Sequence, residues 1–342
     1  MLGNKTRYDL WIDVINTPQV HMLKSFLKEF KQYSIYITGF KRGETVELMD
    51  LFGFKGEILG KDRYNPLLKS LSFVFRTFQL IYKAPDAKVF LSFGSTIPPS
   101  AKMKKMKTIL MHDNDLMFIG EKPFFQKIKN FLQKMADYVL IPEVAQEPFK
   151  KYFGEVIPYP GYKEHIYIAD FQPNPNFLGL LPFKDYIVVR PESLSSLYVL
   201  EKYSIVPEIL KGFERESINV VYLPRNREER VLAEGFKNVF TPHKALDGLN
   251  LVYYSKATLT GSGTMAREAA VLGVPAVSFF PKETLLSVDK DLVEKQKIFH
   301  SRNPEEIVGY VKNSWNKRAM PDLEKAREVR RYVISFVKKV IE

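Results

Sequence analysis

The stretch that decides the fold is TLTGSGTMAREAAVLGVP, residues 258–275. Its pattern is typical of a short buried strand, a glycine turn at residues 261–263 and a helix that ends at Gly273 before Pro275. In such a segment, backbone N–H groups and the positive end of the helix dipole converge on one point. That point favours an anion such as a diphosphate. The sequence therefore predicts an α/β domain with a phosphate-binding loop here.

Several residues of this segment are expected to contact a nucleotide. We expect Gly261 and Gly263 to adopt positive φ and to let the backbone approach a ligand closely. Thr264 adds a hydroxyl, and Glu268 follows one turn later, where a carboxylate is able to accept both hydroxyls of a ribose. The alternative is a glycine turn that only caps a packing helix. The predicted nucleotide contacts here are Gly261, Ser262, Gly263, Thr264, Met265 and Glu268.

The alternation of short apolar runs with helical patterns extends along the whole chain. It predicts strands near residues 8–14, 34–38, 88–92, 108–111 and 138–141, and again near 186–189, 219–223, 257–260 and 276–279. Strands that alternate with helices indicate parallel, doubly wound sheets joined by right-handed crossovers. With 342 residues, the chain exceeds the roughly 250–300 residues of a single core. We predict domains at residues 1–163 and 164–319 that face each other across a cleft, with residues 320–342 packing back on the first.

Composition limits the chemistry and the partners. The absence of cysteine excludes disulfides, thiol nucleophiles and thiolate metal sites. A net charge of +12 favours polyanionic partners such as nucleotide phosphates or anionic lipid headgroups. We expect no nucleic-acid binding, because no recognition-helix pattern or zinc spacing is present. The N-terminus lacks the apolar core of a secretory signal, so the sequence predicts a cytoplasmic protein.

Charged residues follow strands in the second half and suit phosphate binding. Arg190 and Glu192 come directly after one predicted strand, and Arg225 comes after the next. The planar guanidinium of arginine is able to hold a phosphate through two hydrogen bonds. A surface ion pair at Arg190 and a merely basic helix after Arg225 are the structural alternatives.

Polar residues also follow strands in the first half. His21 lies in the opening turn of a helix predicted to be capped at Thr17, where the positive helix end disfavours the protonated ring. We therefore consider His21 a base, with Asp13 and Asn16 orienting it. A second group, His112, Asp113 and Asp115, follows another strand. A purely structural histidine is the alternative in both places.

The glycine segment resembles the donor-nucleotide motif of GT-B glycosyltransferases and of UDP-N-acetylglucosamine 2-epimerases. Beyond it, residues 9–310 resemble an archaeal family known only as a domain of unknown function and related to both groups. The stretches that carry this resemblance are DVINTPQVH (13–21), SFGS (92–95), HDND (112–115), YPGYKE (159–164), VRPE (189–192), LPR (223–225) and VDK (288–290). The resemblance implies a GT-B architecture of two Rossmann-like domains, and it implies no established reaction.

The resemblance also carries roles for particular positions. In GT-B transferases the backbone of the loop that matches Thr241 pairs with the nucleotide base. In the 2-epimerases the loops that match Arg190 to Glu192 and His112 to Asp115 belong to the site. Where those epimerases carry a Gly-Asp pair, however, this chain has Gly94 and Ser95. The missing carboxylate disfavours proton removal at sugar C2.

The leading prediction is therefore a GT-B glycosyltransferase that uses a nucleotide-diphosphate sugar, with UDP as the expected nucleotide. An epimerase-like enzyme or hydrolase and a non-catalytic nucleotide-sugar-binding protein remain alternatives. We expect no cofactor and no metal, because the acidic residues do not cluster as hard cations require. The sequence leaves the oligomeric state open.

A basic amphipathic pattern near residues 122–135 suggests a contact with anionic membrane lipid. Its lysines alternate with apolar residues, namely Lys122, Lys127, Lys129 and Lys134 with Phe124, Phe125, Ile128, Phe131, Leu132 and Met135. Residues 67–82 also form an amphipathic helical pattern. The alternative is a solvated helix face packed on its own domain. Peripheral contact with the inner face of a membrane is thus an open expectation.

Overall fold

Two parallel sheets organise the part of the chain that the structure describes. The computed structural model describes residues 7–63, 66–192, 203–282 and 284–342, with the backbone alone at 66–70. The chain divides into two units, Met1–Tyr167 with Glu328–Glu342, and Ile168–Arg327. The last helix therefore begins in the second unit and ends in the first.

The first unit contains a parallel sheet in the order β3-β2-β1-β4-β5-β6-β7. Its strands are β1 (Arg7–Val14), β2 (Ile35–Lys41), β3 (Glu57–Lys61), β4 (Asp86–Phe93), β5 (Lys107–Met111), β6 (Tyr138–Pro142) and β7 (Ile157–Tyr159). Its helices are α1 (Thr17–Glu29), α2 (Thr45–Leu51), α3 (Pro66–Lys83), α4 (Pro99–Met103), α5 (Phe124–Gln133), α6 (Gln146–Phe153) and α7 (Lys163–Ile168).

The second unit repeats this arrangement in the order β10-β9-β8-β11-β12-β13. Its strands are β8 (Ile187–Arg190), β9 (Val220–Tyr222), β10 (Val239–Phe240), β11 (Thr258–Thr260), β12 (Ala276–Ser278) and β13 (Phe299–His300). Its helices are α8 (Val206–Arg215), α9 (Arg227–Val231), α10 (Gly248–Tyr254), α11 (Gly263–Val271), α12 (Ser287–Glu294) and α13 (Pro304–Ser314), followed by the shared α14 (Leu323–Ile341). Short 3-10 helices lie at Asp115–Met117, Glu143–Ala145 and Pro175–Leu180.

Hydrophobic spacing explains why these segments fold as they do. The central strands are apolar on both faces, as the buried run of β1 shows, because helices cover both sides of a parallel sheet. In α8 the buried residues Val206, Ile209, Leu210 and Phe213 follow the helical period, so one side of that helix faces the core. The predicted α/β class with two doubly wound sheets is confirmed.

Both sheets reverse their strand order once, between β1 and β4 in the first and between β8 and β11 in the second. At such a point the connections on either side leave toward opposite faces of the sheet, and their loops part. Ligands of doubly wound proteins bind there, beyond the carboxyl ends of the strands. The fold thus predicts a ligand site at the carboxyl edge of each sheet.

Candidate functional site

The loops at the reversal point of the second sheet begin side by side. Arg190 at the end of β8 pairs in register with Thr260 at the end of β11. One residue further, the Gly261 N–H donates to the Arg190 carbonyl oxygen at 3.0 Å. The glycine segment therefore starts directly at the position where the fold favours a ligand.

The start of α11 presents backbone donors. Ser262 is its extended N-cap, and the Ser262 side chain does not cap the helix. Instead the Ser262 N–H donates to Thr260 Oγ1 at 2.9 Å, and that hydroxyl donates to the Ser262 carbonyl at 2.7 Å. Among the described residues, no acceptor binds the N–H groups of Gly263, Thr264 or Met265. These donors lie at the positive end of the helix dipole, which suits an anion.

The two glycines of this loop have a role other than the expected one. Neither Gly261 nor Gly263 has positive φ, so that prediction was wrong. A Cβ on Gly261 would lie 2.5 Å from the Glu192 Cα, and one on Gly263 would lie 2.7 Å from Asp289 Oδ2. The glycines are needed because neighbouring parts of the protein approach them closely.

Arg225 joins three strand ends. Its Nη1 donates to the Pro191 carbonyl at 2.9 Å and to Glu229 Oε1 at 3.2 Å, while its Nη2 donates to Ser262 Oγ at 3.0 Å. The guanidinium thus connects the loops after β8, β9 and β11. It holds a positive charge in a defined orientation beside the start of α11.

A buried ion pair supports the first turn of α11. Arg267 Nη1 lies 2.7 Å from Asp289 Oδ1, and both side chains are buried. Arg267 Nη2 also donates to Thr264 Oγ1 at 3.2 Å. Asp289 belongs to one of the stretches that carry the family resemblance, and Arg267 was not predicted as a site residue. An arginine among the small apolar residues of α11 was the available signal.

Glu192 makes several polar contacts within the protein. Its carboxylate is buried and accepts hydrogen bonds from the Ser204 hydroxyl at 2.6 Å and the Ile205 N–H at 3.1 Å. Arg302 Nη1 lies 3.4 Å from the same carboxylate. Glu192 therefore stabilises the beginning of α8, and its contact with a ligand stays a prediction.

The remaining predicted nucleotide contacts lie along the same edge of the second sheet. Arg190 Nη1 approaches Met265 Sδ at 3.8 Å. Thr241 directly follows β10 and is partly buried, and Glu268 is buried on α11. The structure thus places Arg190, Arg225, Thr241 and the glycine turn at the carboxyl ends of β8, β9, β10 and β11, with Glu268 further along α11.

At the edge of the first sheet, Asp13 is part of a buried network. Asp13 Oδ1 accepts hydrogen bonds from Thr38 Oγ1 at 2.6 Å and from Arg76 Nη2 at 2.7 Å. Asp13 Oδ2 is buried without a hydrogen-bond partner among the described residues. These contacts fix the Asp13 side chain at the end of β1, and its role in orienting His21 stays a prediction.

The start of α1 differs from the prediction by one residue. Asn16 is the N-cap instead of Thr17, and its N–H donates to Gln19 Oε1 at 3.1 Å. His21 is then the fifth residue of the helix, just beyond the opening turn. Its buried ring stacks on Tyr167 at 5.8 Å and meets the edge of Phe52 at 5.4 Å.

His112 is buried among aromatic rings after β5. Its ring lies 5.3 Å from Phe118 and 5.6 Å from Phe149, and its Nδ1 accepts the Asn114 N–H at 3.1 Å. Burial, together with the nearby positive charge of Lys129, lowers the pKa of His112 to about 3. The ring is therefore neutral at pH 7, with its proton on Nε2.

Two lysines that were not predicted as site residues lie near His112. Lys163, the first residue of α7, forms an ion pair with Asp113 and lies 3.2 Å from Glu164 Oε1. Lys129 on α5 is partly buried. Burial lowers the pKa of Lys129 to about 8, and the charges of Arg42 and Arg76 act in the same direction.

Asp115 is buried and begins the 3-10 helix Asp115–Met117.

Within the described residues, no group of three or more His, Asp or Glu side chains is placed to hold a metal ion. No helix in the same ranges is long and apolar enough to cross a membrane.

Comparison with known proteins identifies the family. The family described as "Protein of unknown function (DUF354)" matches residues 8–340. The chain belongs to the DUF354 family. A relative in Methanocaldococcus jannaschii, the uncharacterized protein MJ0665, is 28% identical over 328 residues, which cover 91% of this chain and 92% of the relative. The sequence-based resemblance to an archaeal family of unknown function is confirmed.

Solved structures show the same fold at low sequence identity. The UDP-N-acetylglucosamine 2-epimerase from Rickettsia bellii has a TM-score of 0.69 and 16% identity, with 97% of this DUF354 chain and 96% of that chain covered. The M. jannaschii UDP-GlcNAc 2-epimerase in complex with UDP-GlcNAc and UDP has a TM-score of 0.66 and 14% identity, with 96% of this chain and 99% of that chain covered. The glycotransferase of kitacinnamycin has a TM-score of 0.55 and 11% identity, with 97% of this chain and 99% of that chain covered. The predicted GT-B-like fold class is confirmed.

Proposed function

We propose that this protein binds the pyrophosphate of a nucleotide sugar at the start of α11 and transfers the sugar to an acceptor. This proposal rests on the N–H groups of Gly263, Thr264 and Met265, which lie beside the fixed guanidinium of Arg225. These groups offer a diphosphate both hydrogen bonds and positive charge. The proposal is supported by similar structures that are named as complexes with UDP and UDP-GlcNAc.

Within this proposal the second unit stabilises the leaving group. A bond forms between the acceptor oxygen and the anomeric carbon of the sugar, while the bond from that carbon to the diphosphate oxygen breaks. Negative charge then grows on the diphosphate, beside the positive end of the α11 dipole and the guanidinium of Arg225. Donors that are held in place before the reaction stabilise such charge most effectively.

The proton of the acceptor hydroxyl needs a base, for which we propose His21. Its ring is buried against Tyr167 and Phe52 on a helix that begins at the carboxyl end of β1. Burial lowers the pKa of His112 to about 3, which makes this ring a poor base at neutral pH. We assign its Nε2–H a donor role toward the acceptor or the sugar.

The side chains of the first unit favour sugar transfer over epimerisation. Epimerisation requires a base that removes a proton from carbon, and a carboxylate after β4 would serve. Ser95 stands at that position, buried, with its hydroxyl donating to the Thr96 carbonyl at 3.2 Å. The carboxylate after the next strand, Asp113, is paired with Lys163.

A 2-epimerase activity is the second candidate. It is favoured by the higher TM-scores of the two 2-epimerase structures, 0.69 and 0.66, against 0.55 for the glycotransferase. In that case Asp113 or Asp115 would act as the base at the sugar ring.

A panel of nucleotide sugars separates the two candidates. Each is incubated with the protein without an acceptor, and the sugar is followed by proton NMR. A transferase leaves the sugar configuration unchanged and gives at most slow hydrolysis. Conversion to a C2 epimer would overturn the transferase proposal and support the second candidate.

Binding is tested separately by titration calorimetry with UDP. We expect Glu268→Gln to weaken UDP binding about tenfold, or roughly 1.4 kcal/mol, if the carboxylate holds the ribose. Glu294→Gln, on the exposed part of α12, is the matched control and should leave the affinity unchanged. Unchanged affinity in a folded Glu268→Gln variant would remove this assignment.

A further inference from the structure

The third helix of the first unit carries large apolar side chains on its outer side. On α3, Leu71, Phe75, Phe78 and Tyr82 are 59%, 64%, 65% and 87% exposed. Their spacing of four, three and four residues places them in one row along the helix. Leu80 on the opposite side of α3 is buried. A continuous apolar row of this length is unusual on a protein surface and marks an interaction site.

The same side of the sheet carries further exposed apolar residues. Met103 on α4 and Phe124 and Phe131 on α5 are mostly exposed. Because crossovers between parallel strands are right-handed, the connections from β3 to β4, β4 to β5 and β5 to β6 all cover one face. Leu80 of α3 and Ala101 of α4 accordingly belong to one core cluster. We call the exposed set the apolar face: Leu71, Phe75, Phe78, Tyr82, Met103, Phe124 and Phe131.

Lysines lie close in sequence to the residues of this apolar face. Lys105, Lys107 and Lys127 are exposed, and none forms an ion pair within the described ranges. Lys104 is exposed and donates to the Ala84 carbonyl at 2.5 Å, and Lys134 lies over the Tyr152 ring at 4.0 Å. Residues 71–135, which carry this face, contain eleven lysines and arginines against four aspartates and glutamates, so aromatic and aliphatic side chains are combined there with a net positive charge.

The charge selects one partner for this face. A second copy of the chain that presented the same face would bring lysines against lysines, and the whole chain already carries +12. An anionic bilayer instead neutralises the lysines and takes the apolar side chains into the boundary between headgroups and acyl chains.

We propose that the outer surface of α3, α4 and α5 docks the protein peripherally on an anionic lipid bilayer. Docking of this kind needs no membrane-spanning helix, because its strength comes from apolar insertion and from attraction to lipid charge. The proposal goes beyond the sugar-transfer function and stands on different residues, so either one survives the failure of the other.

Sedimentation of the full-length protein with vesicles tests the proposal. We expect binding to phosphatidylcholine vesicles that contain about one third phosphatidylglycerol, and at least tenfold weaker binding to pure phosphatidylcholine vesicles or in high salt. The Phe75→Gln, Phe78→Gln double variant should lose at least tenfold in binding. Lys105→Glu with Lys127→Glu should do the same.

Controls separate this surface from general stickiness and from misfolding. Leu180→Gln with Val231→Gln removes exposed apolar residues from the second unit and should leave vesicle binding unchanged. Retained UDP binding, or an unchanged melting temperature if UDP does not bind, shows that the variants are folded. Equal binding to neutral and anionic vesicles, or full binding by the Phe75 and Phe78 double variant, would overturn the proposal. So would a dimer in analytical ultracentrifugation that this double variant abolishes.

Discussion

Arg225 donates a hydrogen bond from Nη2 to the Ser262 hydroxyl at 3.0 Å, across 37 positions of sequence. The same guanidinium binds the Pro191 carbonyl at 2.9 Å. Three loops that follow neighbouring strands are thereby held together by one planar group. Because the start of α11 belongs to one of these loops, the orientation of its N–H groups depends on Arg225.

Replacing Arg225 should therefore weaken nucleotide binding more than it weakens folding. Arg225→Lys keeps the charge but loses the planar fork that reaches both Pro191 and Ser262. We expect about tenfold weaker UDP binding by calorimetry, equal to roughly 1.4 kcal/mol. Arg230→Lys, at an exposed position on α9, is the control. Equal affinities of the two variants would contradict the proposed role.

The close packing at Gly263 predicts an intolerant position. In Gly263→Ala the new Cβ would lie 2.4 Å from Arg267 Nη1 and 2.7 Å from Asp289 Oδ2, so the buried ion pair must move. We expect the free energy of unfolding to fall by about 1–3 kcal/mol in urea denaturation. Gly248→Ala is a matched control, because Gly248 is likewise the first residue of a helix and has no atoms within 4 Å of its added Cβ. Similar stabilities of the two variants would show that the ion pair adapts without cost.

Acid should destabilise the protein through His112. The pKa of this ring falls from an ordinary 6.5 to about 3 because the ring is buried. Between these values the unfolded state binds more protons, so the free energy of unfolding decreases as pH falls below 6.5. For one group the slope approaches roughly 1.4 kcal/mol per pH unit.

His112→Asn tests this pH dependence, because its amide oxygen can still accept the Asn114 N–H that now binds Nδ1. We expect the stability difference between wild type and variant to shrink by about 2 kcal/mol between pH 7 and pH 4.5. Parallel pH profiles of the two proteins would show that His112 protonates in the folded state at its ordinary pKa.

Lys129 should lower stability at neutral pH. Burial, together with Arg42 and Arg76, lowers its pKa from 10.5 to about 8, so at pH 7 the folded protein carries an unfavourable charge. Lys129→Met should raise the free energy of unfolding by about 1–2 kcal/mol at pH 7, and this gain should fade as pH rises from 8 to 10.5.

Lys127→Met on the same helix is the control for Lys129→Met. Lys127 is exposed, so its replacement should change the free energy of unfolding by less than about 0.5 kcal/mol. Both variants are measured by urea denaturation at pH 7 and at pH 10. A loss of stability in Lys129→Met would show that the charged lysine is favourably bound.

Local patterns in the sequence were sufficient to predict the main strands and helices. The glycine segment at 258–275 becomes β11, a turn and α11, because strand period, N-cap and Gly273 all lie within neighbouring residues. The strands β3, β7, β10 and β13 were not predicted. They are the edge strands of the two sheets, and their partly exposed residues lack the apolar runs of the central strands.

The roles of single residues were harder to predict. Asp13 and Glu192 look like site residues because they follow strands, yet their carboxylates bind Arg76 and the start of α8. Lys163 and Arg267 look ordinary, yet they pair with Asp113 and Asp289. The sequence shows that such residues are charged, and it does not show which partner each one meets.

The sequence by itself determined the central strands, their parallel arrangement and the place of the glycine turn, because these depend on side-chain period and on backbone preferences over a few neighbouring residues. Only the tertiary structure decided which carboxylates are buried and why the glycines are required. The physical reason is distance along the chain: Asp13 meets Arg76 across 63 positions, Asp113 meets Lys163 across 50, and Arg267 meets Asp289 across 22. Burial and charge pairing arise only when the folded sheets bring such residues together.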